Sequence, residues 1–177
     1  MKAELIRWAK VVSVSEIKKG ERVLDLGCGK MMLKRFLPQV RYTGIDISGN
    51  KGIIKWDLEK GLPATIRKRR FDVIFMNEFL EHIENFKSLL IQCRKVLAAN
   101  GRIVISTPSP SRFIFREEPT HIHCFRKTNM ANLARICGLK VTRIVGSYIR
   151  IPVLHLFIPT SQTLYSDVLI YKLERLK

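Results

Sequence analysis

The segment that most constrains this chain is Val23-Leu24-Asp25-Leu26-Gly27-Cys28-Gly29. A run of core-type residues, read as a strand over Arg22–Leu26, enters a Gly-x-Gly turn. The pattern then predicts a short helix over Lys30–Leu37, stopped by Pro38. Glycines suit such a turn because the backbone must bend tightly and let a ligand come close. A helix starting there would offer unpaired N–H groups. Gly-x-Gly alone marks many tight turns. The next expected strand, Arg41–Asp46, adds weight, because Asp46 ends it where a nucleoside-binding fold places an acid to accept from ribose hydroxyls. A plain turn cap, Asp46-Ile47-Ser48, is the other reading of that residue.

The rest of the chain alternates strand and helix patterns, the mark of an α/β domain with a mainly parallel sheet. Leu5, Ile6, Trp8, Ala9 and Val12 predict an opening helix over residues 2–12. A weak strand is expected at Gly52–Asp57 and a strong one at Phe71–Met76. An amphipathic helix follows at Asn85–Ala99, capped by Asn100-Gly101, then a strand at Arg102–Ser106. A helix at Lys127–Cys137 stops at Gly138, and strands at Leu139–Val145 and Ser166–Leu173 close the pattern. Only ten residues separate Asp46 from Asp57. A parallel crossover normally takes a dozen or more. The third strand is therefore expected to be rudimentary, or to run across the sheet edge. A chain of 177 residues suits one domain.

Charge is the compositional outlier. Lys and Arg number 32 against 15 Asp and Glu, a net charge of +17, which attracts nucleic acid, anionic membrane surface or acidic substrates without choosing among them. Arg67-Lys68-Arg69-Arg70 is the densest basic run, fit for phosphate contact or for a solvated turn. The four cysteines are scattered without C-x-x-C spacing, as in a cytoplasmic protein with reduced thiols. The N-terminus lacks a signal-peptide pattern, and the most apolar stretch, Ile149–Pro159, is broken by Arg150, Pro152 and His155. A cytoplasmic, soluble protein without a membrane span is expected. Residues 149–164 read as an apolar connection between the last two strands, or as a substrate wall or membrane-surface contact.

Several ordered motifs join the Gly-x-Gly turn: Gly44-Ile45-Asp46-Ile47-Ser48, Trp56-Asp57-Leu58, Phe71-Asp72-Val73-Ile74, Leu80-Glu81-His82-Ile83, Arg94-Lys95-Val96-Leu97 and Asn100 to Pro108. Over residues 20–146 the chain resembles the class I S-adenosylmethionine-dependent methyltransferases, in particular the small-molecule group called type 11. The resemblance implies a Rossmann-like, mainly parallel sheet with helices on both faces, an antiparallel final strand and a reduced helix set. It implies one methyltransferase domain over 1–177: an N-terminal helix (1–20), a cofactor-binding core (21–146) and a closing strand region (147–177). Asp25, Gly27, Cys28 and Gly29 would surround the methionine end of the cofactor. Asp46 would bind the ribose and Ile47 would pack on the adenine. Asp57 and Leu58 would sit at the adenine edge, and Met76 and Asn77 near the sulfonium. Three features depart from the family. Met31 stands where a third glycine is usual and is expected to narrow the pocket, the helix between Asp46 and Asp57 is missing, and the N-terminal segment is short.

Asn77 and His82 are the candidate catalytic residues. Glu78-x-x-Glu81-His82 places three reactive side chains on one face if the turn is helical. The spacing resembles that of metal-dependent O-methyltransferases of ubiquinone biosynthesis and, with a later histidine, small-RNA 2′-O-methyltransferases. Glu78, Glu81, His82 and His123 are thus candidate ligands for a divalent metal, although Glu-His at this place is common across the type 11 group and no firm metal site follows. His121 and His123 fit a loop before the Lys127 helix, one of them facing substrate or both solvated. Three functions follow. The first is methyl transfer from S-adenosylmethionine to a small molecule, a glycan or a lipid-linked acceptor. The second is RNA methylation. The third is a non-catalytic S-adenosylmethionine-binding subunit. A protein partner or a second copy could close an open pocket. The fourth strand lacks the Asn/Asp-Pro-Pro-aromatic ending of amino-methylating nucleic-acid enzymes, and no Pro-Cys pair offers a cytosine nucleophile.

Overall fold

The computed structural model describes residues 3–109, 118–151, 156–160 and 166–176. The chain opens with helix α1 (Ala3–Ser15), which ends three residues later than its apolar spacing predicts, and enters strand β1 (Arg22–Leu26). Strands β2 (Arg41–Asp46) and β3 (Ile54–Lys55) follow, then the single turn α2 (Ala64–Arg67) and β4 (Phe71–Asn77). Helix α3 (Phe86–Val96) leads into the long β5 (Leu97–Pro108). Helix α4 (Lys127–Ile136) and strands β6 (Leu139–Gly146), β7 (Tyr148–Ile151), β8 (Leu156–Pro159) and β9 (Val168–Arg175) complete it.

Seven strands form one sheet in the order β3-β2-β1-β4-β5-β9-β6. The pairings from β3 to β5 are parallel, and β9 runs antiparallel between β5 and β6. Alternation along the strands sends two sets of side chains to opposite faces. Val23, Val73, Phe75, Val104 and Ile170 pack with Trp8, Val11 and Val14 of α1. Leu24, Leu26, Ile74, Met76, Ile103 and Tyr171 pack with Leu89, Leu90 and Cys93 of α3 and Met130 and Leu133 of α4. This is a Rossmann-like fold with helices on both faces.

Three local expectations need correction, and one is met. The Lys30–Leu37 helix does not form; only a 3₁₀ turn at Leu33–Phe36 is present. Gly29 (φ +51°) and Met31 (φ +56°) both lie in the left-handed region, which interrupts a right-handed helix before it can start. The helix start expected to present N–H groups at the turn is therefore absent. The third strand is rudimentary: β3 makes two parallel residue pairs with β2 and runs along the edge. Asn100-Gly101 does not cap α3. Leu97 is already extended, and the β4–β5 register jumps from Phe71↔Leu97 to Val73↔Arg102, so Ala98–Gly101 form a bulge. The guanidinium of Arg175 donates to the carbonyls of Arg94, Leu97 and Ala98 and takes over the capping. Finally, the apolar stretch near residue 150 includes an antiparallel hairpin, β7–β8, which sequence periodicity did not suggest. Pro152 and His155 lie outside the described residues. Among the described residues no helix is long and apolar enough to cross a membrane.

Candidate active site at the sheet switch point

The chain leaves β1 for β2 and β3 on one side and for β4 and β5 on the other. A crevice must open at the carboxyl ends of β1 and β4, where the order reverses and open α/β sheets take their ligands. A pocket of about 370 Å³ lies there, lined by Gly27, Asp46, Ile47, Trp56, Asp57, Leu58, Glu59, Glu78, Phe79, His82 and Ile83. Five of these, Gly27, Asp46, Ile47, Asp57 and Leu58, are among the cofactor positions named from sequence.

Asp46 organises the β1–β2 end. Its Oδ2 accepts from the Gly29 N–H at 2.8 Å and its Oδ1 from the Ser48 N–H at 2.8 Å. Partial burial pushes its carboxyl up, but the bonds from Ser48 and Gly29 outweigh that and hold it below its ordinary value. Beside it Ile47 is 70% exposed, an apolar side chain without cover at the pocket rim. Trp56 is fixed by an Nε1–H bond to the Gly61 carbonyl at 2.8 Å. Asp57 caps the following turn through the Glu59 N–H and pairs with Lys60 at 3.7 Å. The lining thus combines apolar surface with the carboxylates of Asp46, Asp57, Glu59 and Glu78, a set able to take a nucleoside.

Other predicted positions are set back from this wall. Asp25 is buried and accepts from Tyr42 Oη at 2.6 Å; burial pushes its carboxyl up to about 7, with the Tyr42 bond opposing and Asp46 adding to the rise. Cys28 is buried beneath β2, where burial, Asp25 and Asp46 raise its thiol to about 12. A Cβ on Gly44 would come within 2.7 Å of its sulfur, so that position needs glycine. Met76 is fully buried in the α3 face of the sheet. Asn77 is buried too, and neither its Nδ2 nor its Oδ1 finds a partner among the described residues. Met31 does not narrow the pocket: its Sδ-methyl end runs toward Gly52, and it is absent from the lining.

The β4 end is built by long-range contacts. Glu78 follows β4 with φ +47°. Its Oε1 accepts from Ser106 Oγ at 3.0 Å, and Arg7 of α1 lies 3.6 Å from Oε2. Burial raises its carboxyl despite Arg7 and Ser106. Next to it Phe79 packs its ring flat on Gly27; a Cβ there would meet the ring at 2.2 Å, so only glycine lets the two approach. Glu81 is fully buried with neither carboxyl oxygen partnered among the described residues, and burial plus the charge of Glu78 push its carboxyl well above the usual range.

His82 lines the pocket, and its Nδ1 lies 3.0 Å from the Thr120 carbonyl oxygen. A carbonyl only accepts, so in the neutral ring Nδ1 carries the proton and Nε2 the lone pair. The expected metal set is regrouped. Ligand atoms of Glu81, His82 and His121 lie within 4.8 Å of one another. Glu78 is instead drawn to Ser106 and Arg7, and His123 turns to Phe86 and Phe125, its ring 4.6 Å from Phe86. The reason is backbone geometry: with Glu78 in the left-handed region, residues 78–82 are not one helical turn, so although Glu78 and His82 line the same pocket the expected set is not brought together. Trp56, Phe79, Ile83 and Thr120 were not singled out from sequence. Trp56 and Ile83 left a trace, as the first and last residues of quoted motifs.

The sequence profile of a family described as a methyltransferase domain matches residues 2–144. The chain is 26% identical to the ubiquinone biosynthesis O-methyltransferase of Pseudomonas entomophila strain L48 over a 157-residue alignment, covering 72% of this chain and 68% of that protein. Among solved structures, the complex of the Haloferax volcanii Trm112 methyltransferase activator with a methyltransferase matches at a TM-score of 0.75 and 13% identity, over 96% of this chain and 88% of that one. CalO1, a methyltransferase of calicheamicin biosynthesis in its S-adenosylhomocysteine-bound form, matches at 0.64 and 16% identity, over 97% and 55%. The sheet order and the pocket at its switch point define the class, a methyltransferase of class I that uses S-adenosylmethionine as methyl donor. The chain belongs to the methyltransferase-domain family.

Proposed function

We propose that this enzyme methylates a hydroxyl group on a small-molecule acceptor, with His82 as the base. The observation that carries this reading is the fixed ring of His82, whose Nδ1 is engaged by Thr120 while the side chain lines the same pocket as Asp46 and Ile47. The Pseudomonas relative, a ubiquinone biosynthesis O-methyltransferase, carries out chemistry of this kind.

The pocket fits the donor. Asp46 keeps lone pairs for two ribose hydroxyls, since each oxygen accepts one backbone N–H. Ile47, Trp56 and Leu58 supply apolar surface for adenine, and Asp57 an acceptor for its amino group. The orphaned amide of Asn77, at the end of β4 beside Gly27, supplies both donor and acceptor for the methionine end. S-adenosylmethionine, when bound, supplies an electrophilic methyl group that leaves its sulfonium by in-line displacement. The protein's part is to place the acceptor oxygen and to take its proton. With Nδ1–H held by Thr120, Nε2 of His82 is the lone pair available for that proton. Phe79 and Ile83 would exclude water from the acceptor side, and burial pushes the Glu81 carboxyl beneath toward its uncharged form.

The test is methyl transfer from labelled S-adenosylmethionine to a panel of catechols, phenols and aliphatic alcohols, with total RNA as a parallel acceptor. Transfer to a hydroxyl compound that is lost in His82→Gln supports the reading. Transfer only to RNA, or undiminished transfer in His82→Gln, overturns it.

A further inference from the structure

The opposite end of the sheet holds a second concave feature, with a chemistry unlike the first. Four segments converge where β1, β4 and β5 begin and the antiparallel β9 ends. They enclose a pocket of about 530 Å³ lined by Arg22, Arg70, Leu97, Ala98, Ala99, Arg175 and Leu176. At about 3.3 Å per residue, the seven residues of β4 separate this pocket from the methyl-transfer site by on the order of 20 Å. It cannot be part of the acceptor site.

Three arginines face this pocket, and each is held differently. Arg22 is clamped to Asp72, with Nε and Nη2 donating to the two carboxyl oxygens at 3.0 and 2.8 Å. Arg175 is pinned by the three carbonyls at the end of α3. A cation there also suits the negative end of the helix dipole. Arg70 bonds the Arg69 carbonyl through Nη1 and has no carboxylate partner among the described residues. Asp72 is thus the single carboxylate, among the described residues, paired to any lining arginine. Arg94 adds a further cation, bonded through Nε to the Gly138 carbonyl. Burial, then Arg94 and Arg70, lower the proton affinity of Arg175, a sign of crowded like charge. Arg22 Nη1, Arg70 Nη2 and Arg175 Nη1 are left without a bond among the described residues. Two of the three forks are therefore rigid, and the apolar floor of Leu97, Ala98 and Leu176 offers water little.

We propose that this pocket binds the phosphate of a nucleotide or of an RNA backbone, at a site separate from methyl transfer. Planar forks fixed by other contacts are what bidentate phosphate recognition needs. The apolar floor would take the attached base or sugar. The surplus positive charge of the chain, +17, favours encounter with either source.

The intact enzyme is titrated at low salt with inorganic pyrophosphate, with UTP and with a labelled single-stranded RNA. UTP is used so that an adenosine group does not report on the cofactor pocket. Arg70→Gln tests the site, because Arg70 is exposed and, among the described residues, its side chain bonds only the carbonyl of its neighbour Arg69. Lys68→Gln, two residues away and outside the lining, is the reference for general charge. Arg70→Gln is expected to weaken binding about tenfold, the effect of losing one charge-assisted bond, and Lys68→Gln less than about twofold. S-adenosylmethionine affinity should be the same in both. Saturable binding of pyrophosphate and UTP identifies a free phosphorylated ligand. Binding of RNA alone, with a salt slope about one unit shallower in Arg70→Gln, identifies a nucleic-acid backbone. Equal losses in the two variants, or no binding by any probe at low salt, overturn the proposal.

Discussion

At the β2 end of the cofactor pocket, Asp46 reaches its backbone partners 17 and 2 residues away. At the β4 end, His82 reaches Thr120 across 38 residues, and Glu78 reaches Ser106 across 28 and Arg7 across the whole first half of the sheet. The first end is assembled by a strand, its neighbour and the turns between them. The second is assembled from α1, β4, β5 and the segment before α4; each end holds a non-glycine residue in the left-handed region, Met31 and Glu78, but the second also keeps buried side chains, Glu81 and Asn77, without a hydrogen-bond partner among the described residues. Strain and unsatisfied polar groups of this kind gather where chemistry is done. On the proposed function this is a division of labour, with the local end holding the fold and the nucleoside of the donor while the remote end takes the donor's methionine end and the acceptor.

The sharpest way to break that division is at His82. His82→Gln should lower the methyl-transfer rate by about 10²–10⁴-fold, the usual contribution of a positioned base, with donor affinity changed less than about twofold. Calorimetric titration beside a rate assay separates the two effects. A matching fall in donor affinity would mean that the two ends are not divided.

Asp25 tests the local end through stability. Its carboxyl is raised to about 7 in the folded chain. Between about pH 4 and pH 7 the folded state keeps a proton that the unfolded state has released, so stability falls as pH rises across that window, by at most on the order of 4 kcal/mol. Asp25→Asn keeps an acceptor for Tyr42 and should flatten that part of the curve. Urea unfolding at several pH values reads it directly, and an unchanged slope would show that Asp25 is ionised in the folded protein.

Asp46→Ala removes the acceptor for two N–H groups at the turn. It should weaken donor binding about 100-fold, as loss of charge-assisted bonds does, and lower the melting temperature as well. A smallest effect is expected at Trp56. The chain has two tryptophans, Trp8 buried under α1 and Trp56 at the pocket. Donor binding should change the emission of Trp56 alone, and Trp56→Phe should abolish the signal while weakening affinity about threefold.

The same split explains what was readable in the sequence. Arg22–Leu26 was found residue for residue, because a buried parallel strand writes an apolar run, here Val23, Leu24 and Leu26; Arg41–Asp46 was found as precisely although only Gly44 and Ile45 of it are buried. Gly27, Asp46, Ile47, Asp57 and Leu58, which the family resemblance marks as cofactor positions, all line the pocket, because the turns that follow β1, β2 and β3 bring them to one rim. The Lys30–Leu37 helix was over-read: its composition is helical, but two left-handed residues at the turn prevent nucleation. The pairing of His82 with Thr120, and of Arg175 with the end of α3, left no trace in any window of sequence. Such contacts depend on which strands become neighbours, and periodicity does not encode that.

One consequence concerns the order in which the chain is made. β9 is the last strand in the sequence, yet it lies between β5 and β6. Until its eight residues emerge, β5 has one edge open and β6 has no neighbour in the sheet. During synthesis the nascent domain therefore carries two unpaired β edges, a state prone to sticking to other chains. The sheet can close only by inserting its final segment into a gap already framed by the others, so chaperone dependence during translation should fall abruptly once residues 168–175 have left the ribosome.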